Sequence, residues 1–86
     1  MIRKGDDVPR YFFNVLDGRS SPDDVGSVLG GPDDARREGI RLAGAIIDEH
    51  AAVIALGSSW HLEVRDESGA LVTRLDLIVD APAKAA

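Results

Sequence analysis

WHLEVRDESGALVTRLDLIV, residues 60–79, is the stretch that decides how this chain folds. Trp60, Leu62 and Val64 alternate with His61, Glu63 and Arg65, and from Leu71 to Val79 the odd positions are the inward ones. This is the period-two signature of strands with one dry face. The connection between them, Asp66-Glu67-Ser68-Gly69-Ala70, has turn chemistry, so the two runs form a hairpin. Residues directly opposite each other share a face, so inward Leu62 needs an odd-numbered partner. A three-residue loop fails that parity test. A two-residue loop passes it, but puts Glu67 and Ser68 where positive φ is wanted and sets His61 against Arg74. A four-residue loop, Glu67 to Ala70, pairs Val64 with Thr73, Leu62 with Leu75 and Trp60 with Leu77. On the outer face it sets Glu63 opposite Arg74 and His61 opposite Asp76, pairs worth about 0.2–1 kcal/mol each when the charges are opposite. The four-residue loop is the expectation.

Upstream, Gly30-Gly31-Pro32-Asp33-Asp34 reads as a helix start, with Gly31 or Asp33 as cap and two carboxylates at the positive end of the macrodipole. Steps of 100° place Ala35, Gly39, Leu42, Ala43, Ile46, Ile47, His50, Val53 and Ile54 on one face, with Arg37, Glu38, Arg41, Asp48 and Glu49 opposite. Gly57 after Leu56 is the natural stop. Gly39 and Gly44 each cost about 1 kcal/mol relative to Ala inside a helix, and close approach to a sheet explains the one on the buried face.

Before the helix, RYFFNVLDG, Arg10 to Gly18, is aromatic and branched enough to be a strand closed by an Asp-Gly turn. Tyr11, Phe13 and Val15 share the helix-covered side, and Phe12, Asn14 and Leu16 take the other. A polar loop, Arg19 to Asp24, leads to Val25–Leu29, which returns as a short strand beside the first. Met1 to Pro9 and Ala81 to Ala86 lack periodicity and are expected to be flexible, leaving one domain with an ordered core over residues 9–80. The expected fold class is α+β: a two-layer ββαββ sandwich, one mainly antiparallel sheet with one long helix packed on one face.

RYFFNVLDG, then Asp24-Val25-Gly26, Pro32-Asp33, Ala35-Arg36-Arg37-Glu38, and Trp60 followed by Leu62-Glu63-Val64-Arg65-Asp66-Glu67-Ser68-Gly69, resemble a family of short bacterial proteins known only as a domain of unknown function. Its members open with a similar Arg-Tyr-Phe-Phe-x-Val-x-Asp-Gly strand, and the resemblance runs from Pro9 to about Val79. Many carry His where this chain has Asn14, so position 14 is not an obligatory catalytic group. The resemblance implies no activity.

Composition narrows the function classes. The chain has 86 residues, a net charge of −5 and no cysteine. A chain this short buries only about 60% of the surface its unfolded form exposes, and without disulfides or thiolate metal sites packing must hold it together. The acidic residues are spread along the length and no Lys/Arg stripe forms, so nucleic-acid binding is not expected. No segment approaches the ~20 apolar residues that span a bilayer and the start lacks a signal-like run, so the expectation is a soluble, cytoplasmic protein without membrane contact.

His61 opposite Asp76 is the one His/carboxylate pair the register yields, and a carboxylate can orient an imidazole for general-base work. These two are the only catalytic candidates. Ser59, the nearest hydroxyl in sequence, supports no triad, and the simpler reading is a surface cross-strand pair. His50 is expected half-buried beneath the sheet edge, bonded to a backbone carbonyl. Asp17, Asp23 and Asp24 lack the alternating spacing of a calcium loop and read as a solvated loop. Gly30-Gly31 lacks the Lys of a phosphate cradle. No metal and no cofactor is expected, and Trp60 reads as core.

One helix covers one side of a sheet. On the uncovered side Phe12, Asn14, Leu16, Val72 and Ile78 are the expected interface, an apolar middle ringed by Arg74, Asp76, Glu63 and His61. The expected function is a non-enzymatic protein-interaction or regulatory module that self-associates there as a homodimer or meets another protein.

Overall fold

A computed structural model describes residues 9–17, 20–54 and 59–80. The fold is α+β. Strand β1 (Arg10–Leu16) is followed by two-residue strands β2 (Ser20–Ser21) and β3 (Ser27–Val28), helix α1 (Pro32–Glu49), a short helix α2 (Ala51–Ile54), and strands β4 (Ser59–Asp66) and β5 (Leu71–Ile78). The antiparallel sheet has the order β2-β1-β4-β5, with β3 also paired to β1. Of the ends expected to be flexible, residues 1–8 and 81–86 lie outside the described residues, as do Gly18 and the Gly57 stop, while the Pro9 carbonyl accepts from the Leu29 N–H at 3.1 Å.

The β4–β5 hairpin has the register that parity demands: Val64 opposite Thr73, Leu62 opposite Leu75, Trp60 opposite Leu77, Glu63 opposite Arg74 and His61 opposite Asp76. Its four-residue connection is tied by the Asp66 carboxylate, which accepts from the Ser68 N–H, the Ser68 hydroxyl and the Ala70 N–H, at 2.9, 2.6 and 3.0 Å. Gly69 closes it at φ 88°. The Ser68 hydroxyl first, and the Ala70 N–H after it, hold the Asp66 carboxyl below the ordinary carboxylate range.

Regular pairing fails at the turn end of this hairpin. Arg65 pairs with Leu71 while Val64 pairs with Thr73, a bulge that leaves Val72 without a partner. The extra residue reverses the alternation beyond it. Leu71, expected inward, is therefore 48% exposed, and Val72, expected on the open face, packs against the core.

Tyr11, Phe13, Trp60, Leu62 and Val64 form the sheet side of the core, and Ala35 and Ala43 the helix side. Burying Leu62 and Val64 completely stabilises the fold by roughly 1.5–3 kcal/mol each. Small residues on α1 let it lie close: a Cβ added at Gly39 would stand 3.0 Å from Val64 Cγ2, 3.6 Å from Leu62 and 3.8 Å from Leu75. The helix therefore crosses β4 and β5 at Gly39.

Gly31 is the N-cap of α1, with Pro32 in the first turn and Asp33 and Asp34 paired to Arg36 and Arg37 one turn on. The expected single helix to Leu56 ends earlier. His50 leaves helical geometry at φ −113°, ψ 23° after a last turn that carries Asp48 and Glu49 and no basic residue. Carboxylates beside the exposed carbonyls at the negative end of the dipole disfavour that turn. His50 is consequently exposed, not half-buried on the apolar face. Its backbone still bridges the break, its N–H donating to Ile46 and its carbonyl accepting from Ile54.

Candidate functional site

The side of the sheet away from the helix is laid out by the β1–β4–β5 registers. Phe12 neighbours Arg65 and then Leu71, Asn14 neighbours Glu63 and then Arg74, and Leu16 neighbours His61 and then Asp76. The middle column is thus Arg65, Glu63 and His61. This reverses the expected pattern of an apolar centre with charges around it, because β1 and β5, which supply the apolar residues, flank the charged outer positions of β4.

Glu63 is the hub. Its carboxylate lies 3.1 Å from Arg65 Nε, 3.7 Å from Arg74 Nη1 and 3.6 Å from His61 Nε2, while its side chain is only 17% exposed. Arg65 also donates to the Gly69 carbonyl at 2.9 Å, tying the network to the turn. Arg74 donates to both oxygens of Asp76 at 3.1 Å. That bond holds the Asp76 carboxyl below its ordinary range and makes Arg74 a weaker acid in turn. His61 and Asp76 are register partners as expected, but the carboxylate of Asp76 is taken by Arg74 and the nearest carboxylate to the His61 ring is that of Glu63.

Leu71 and Ile78, 48% and 72% exposed, stand at the two ends of the β5 margin of this network. A shallow depression of about 470 Å³ lies at the Ile78 end of the sheet, lined by Leu16, His61, Arg74, Asp76 and Ile78 together with Ser59, Trp60 and Leu77. Phe12 is half-buried. Its ring edge rests on Gly26, where an added Cβ would come within 2.8 Å of Phe12 Cε2 and of Arg10 Cγ. The shield over Phe12 is thus the loop between β1 and the helix.

That loop is organised by Asp23, which sequence reasoning assigned to solvent. β2 and β3 pair with the two ends of the outer edge of β1, Ser21 with Val15 and Ser27 with Tyr11. Between them side chains replace the ladder: the Phe13 N–H donates to Asp23 Oδ2 at 3.1 Å, and the Asp23 N–H donates to Asn14 Oδ1 at 2.8 Å. Asp23 Oδ1 accepts from the Val25 and Gly26 N–H groups at 3.1 and 3.0 Å. Partial burial raises the pKa of this carboxyl, but bonds from Gly26, Phe13 and Val25 outweigh it and leave Asp23 below the ordinary range. Asn14 is therefore engaged in holding the loop. The available signal was an Asx-rich loop directly after a strand, since Asp and Asn compete for nearby backbone groups.

A second concavity, about 320 Å³, opens on the helix side beneath the end of α1. Val15, Ile46, Ile54 and Trp60 form its apolar walls, and Asp17 and His50 stand at its rim. Both rim groups are exposed. Among the described residues no three His, Asp or Glu side chains are placed to hold a metal ion, and no helix is long and apolar enough to cross a membrane.

A model of the family described as Domain of unknown function (DUF6894) matches residues 10–78. The chain belongs to that family. The match begins at the first residue of β1 and ends at the last residue of β5, so the family's unit is the sheet with its covering helix. No curated protein and no solved structure matches the chain.

Proposed function

We propose that this domain is a non-enzymatic protein-interaction or regulatory module that self-associates on the open side of its sheet. The observation that carries the reading is the open face itself: an ion network held in place by the hairpin turn, flanked by exposed Leu71 and Ile78 on the β5 margin. A preorganised charged centre with apolar flanks gives a partner both register and apolar area to bury. The commonest partner for such a surface is a second copy related by a two-fold axis.

The catalytic alternative, His61 and Asp76 acting as a pair, finds less support. Asp76 is neutralised by Arg74, and a carboxylate so engaged does not orient the His61 ring. Size exclusion with light scattering, from low to high micromolar concentration, tests the proposal. Self-association should weaken in Ile78→Lys and Leu71→Lys and persist in His61→Ala. A strict monomer at high micromolar concentration contradicts it.

A further inference from the structure

We propose that the second copy joins through the outer edge of β5, antiparallel, with the two-fold axis passing through Leu75. The inference rests on the self-association proposed above and moves its contact to the β5 margin of the open side, where the copies meet edge to edge and not face to face. β5 ends the sheet order, and among the described residues no strand pairs with its outer edge. An eight-residue strand with a free row of N–H and C=O groups is a template for another strand.

Geometry limits the choices. Two antiparallel copies related by a two-fold keep their helices on the same side of the joint sheet, so the axis must pass through a residue position. Centred on Leu75, Arg74 of each copy falls opposite Asp76 of the other, twice, on the open face. On the helix face Leu75 meets its own copy and Thr73 meets Leu77. Leu75 and Leu77 are only half-buried within one chain. Pairing would cover them.

Neighbouring registers fail on charge. Centring on Arg74 sets Arg74 against Arg74, and centring on Asp76 sets Asp76 against Asp76; like charges directly opposite repel. Centring on Thr73 puts Arg74 across from Val72, and centring on Leu77 puts Asp76 across from Ile78. Of these registers, only the one through Leu75 satisfies both charges of both copies. The bulge at Val72 ends regular pairing at one side, so the shared ladder runs over Thr73–Leu77. In the resulting dimer the two open faces lie side by side as one continuous surface.

The test uses charge reversal. Arg74→Asp places two carboxylates on the edge and Asp76→Arg places two guanidinium groups there, so each variant alone should dimerise at least about tenfold more weakly than the parent. Mixed in equal amounts they should form a heterodimer as tight as the parent dimer, since every cross-copy pair is again opposite in sign while the pair within each chain stays broken. Light scattering reads the mass, and circular dichroism verifies the fold. Amide exchange on the unmodified chain supplies an independent readout: outward N–H groups within Thr73–Leu77 should exchange more slowly as dimer forms. Single variants that dimerise like the parent, a mixture that stays monomeric, or β5 amides unaffected by dimerisation overturn the edge contact while leaving self-association standing. A parent chain that is monomeric throughout overturns both.

Discussion

Replacing each of the two helical glycines by alanine tests how closely the helix approaches the sheet. Glycine inside a helix costs about 1 kcal/mol relative to alanine, so on propensity alone both variants gain the same amount. Gly44 faces open space, with nothing within 4 Å of an added Cβ, and Gly44→Ala should realise most of that gain. At Gly39 the new methyl stands 3.0 Å from Val64 Cγ2, and Val64 is fully buried beneath the helix. Overpacking a core costs about 1–3 kcal/mol, which cancels or reverses the gain. The two variants should therefore differ by about 1–3 kcal/mol, with Gly44→Ala the more stable. Each kcal/mol moves the thermal midpoint of a domain this size by roughly 4–8 °C, well within the resolution of a circular-dichroism melt backed by urea titration. Equal stabilisation by both substitutions would refute the close crossing of α1 over β4.

Other perturbations address the loop and the open face. Asp23→Asn should destabilise by about 1–2 kcal/mol at neutral pH, because the amide nitrogen replaces one carboxylate oxygen and cannot accept, so either the Phe13 bond or the Val25 and Gly26 bonds are lost. Asp23 has a lowered folded pKa, so its contribution is full above the ordinary carboxylate range and is lost as pH falls through that lowered value. Urea midpoints should accordingly fall less steeply with acidification in Asp23→Asn than in the parent. Gly26→Ala should cost about 1–3 kcal/mol, since φ is 75° there and the added Cβ meets Arg10 and Phe12 at 2.8 Å. Glu63→Gln should cost about 1 kcal/mol at low salt, by leaving Arg65 and Arg74 without their shared carboxylate, and less as salt rises. Denaturant titration at two ionic strengths reads that difference.

The regular parts of this fold were legible because parity is strict. Once Leu62 and Leu75 had to share a face, the hairpin register and the cross-strand neighbours of Glu63 and His61 followed. What escaped depends on backbone groups that periodicity does not see. The bulge at Val72 exchanges the faces expected for Leu71 and Val72, and nothing in their apolar side chains distinguishes the two arrangements. The break at His50 shows only in the missing basic residue of the last turn, a weak dipole effect against a strong apolar period. Asp23 and Asn14 were each read alone, one in a loop and one on a strand, whereas their role is the pair of bonds that fills the gap between β2 and β3. The charged centre of the open face was implicit in the His61-Glu63-Arg65 alternation. The strand order places β4 inside the sheet, so these charges lie between the apolar outer positions of β1 and β5.

The proposed dimer depends on a β5 edge, unpaired among the described residues, whose charges complement their own two-fold image. Equal amounts of Arg74→Asp and Asp76→Arg chains, each folded, should sediment as monomers when separate and at twice the monomer mass when combined. Mass that stays at one chain after mixing would contradict it.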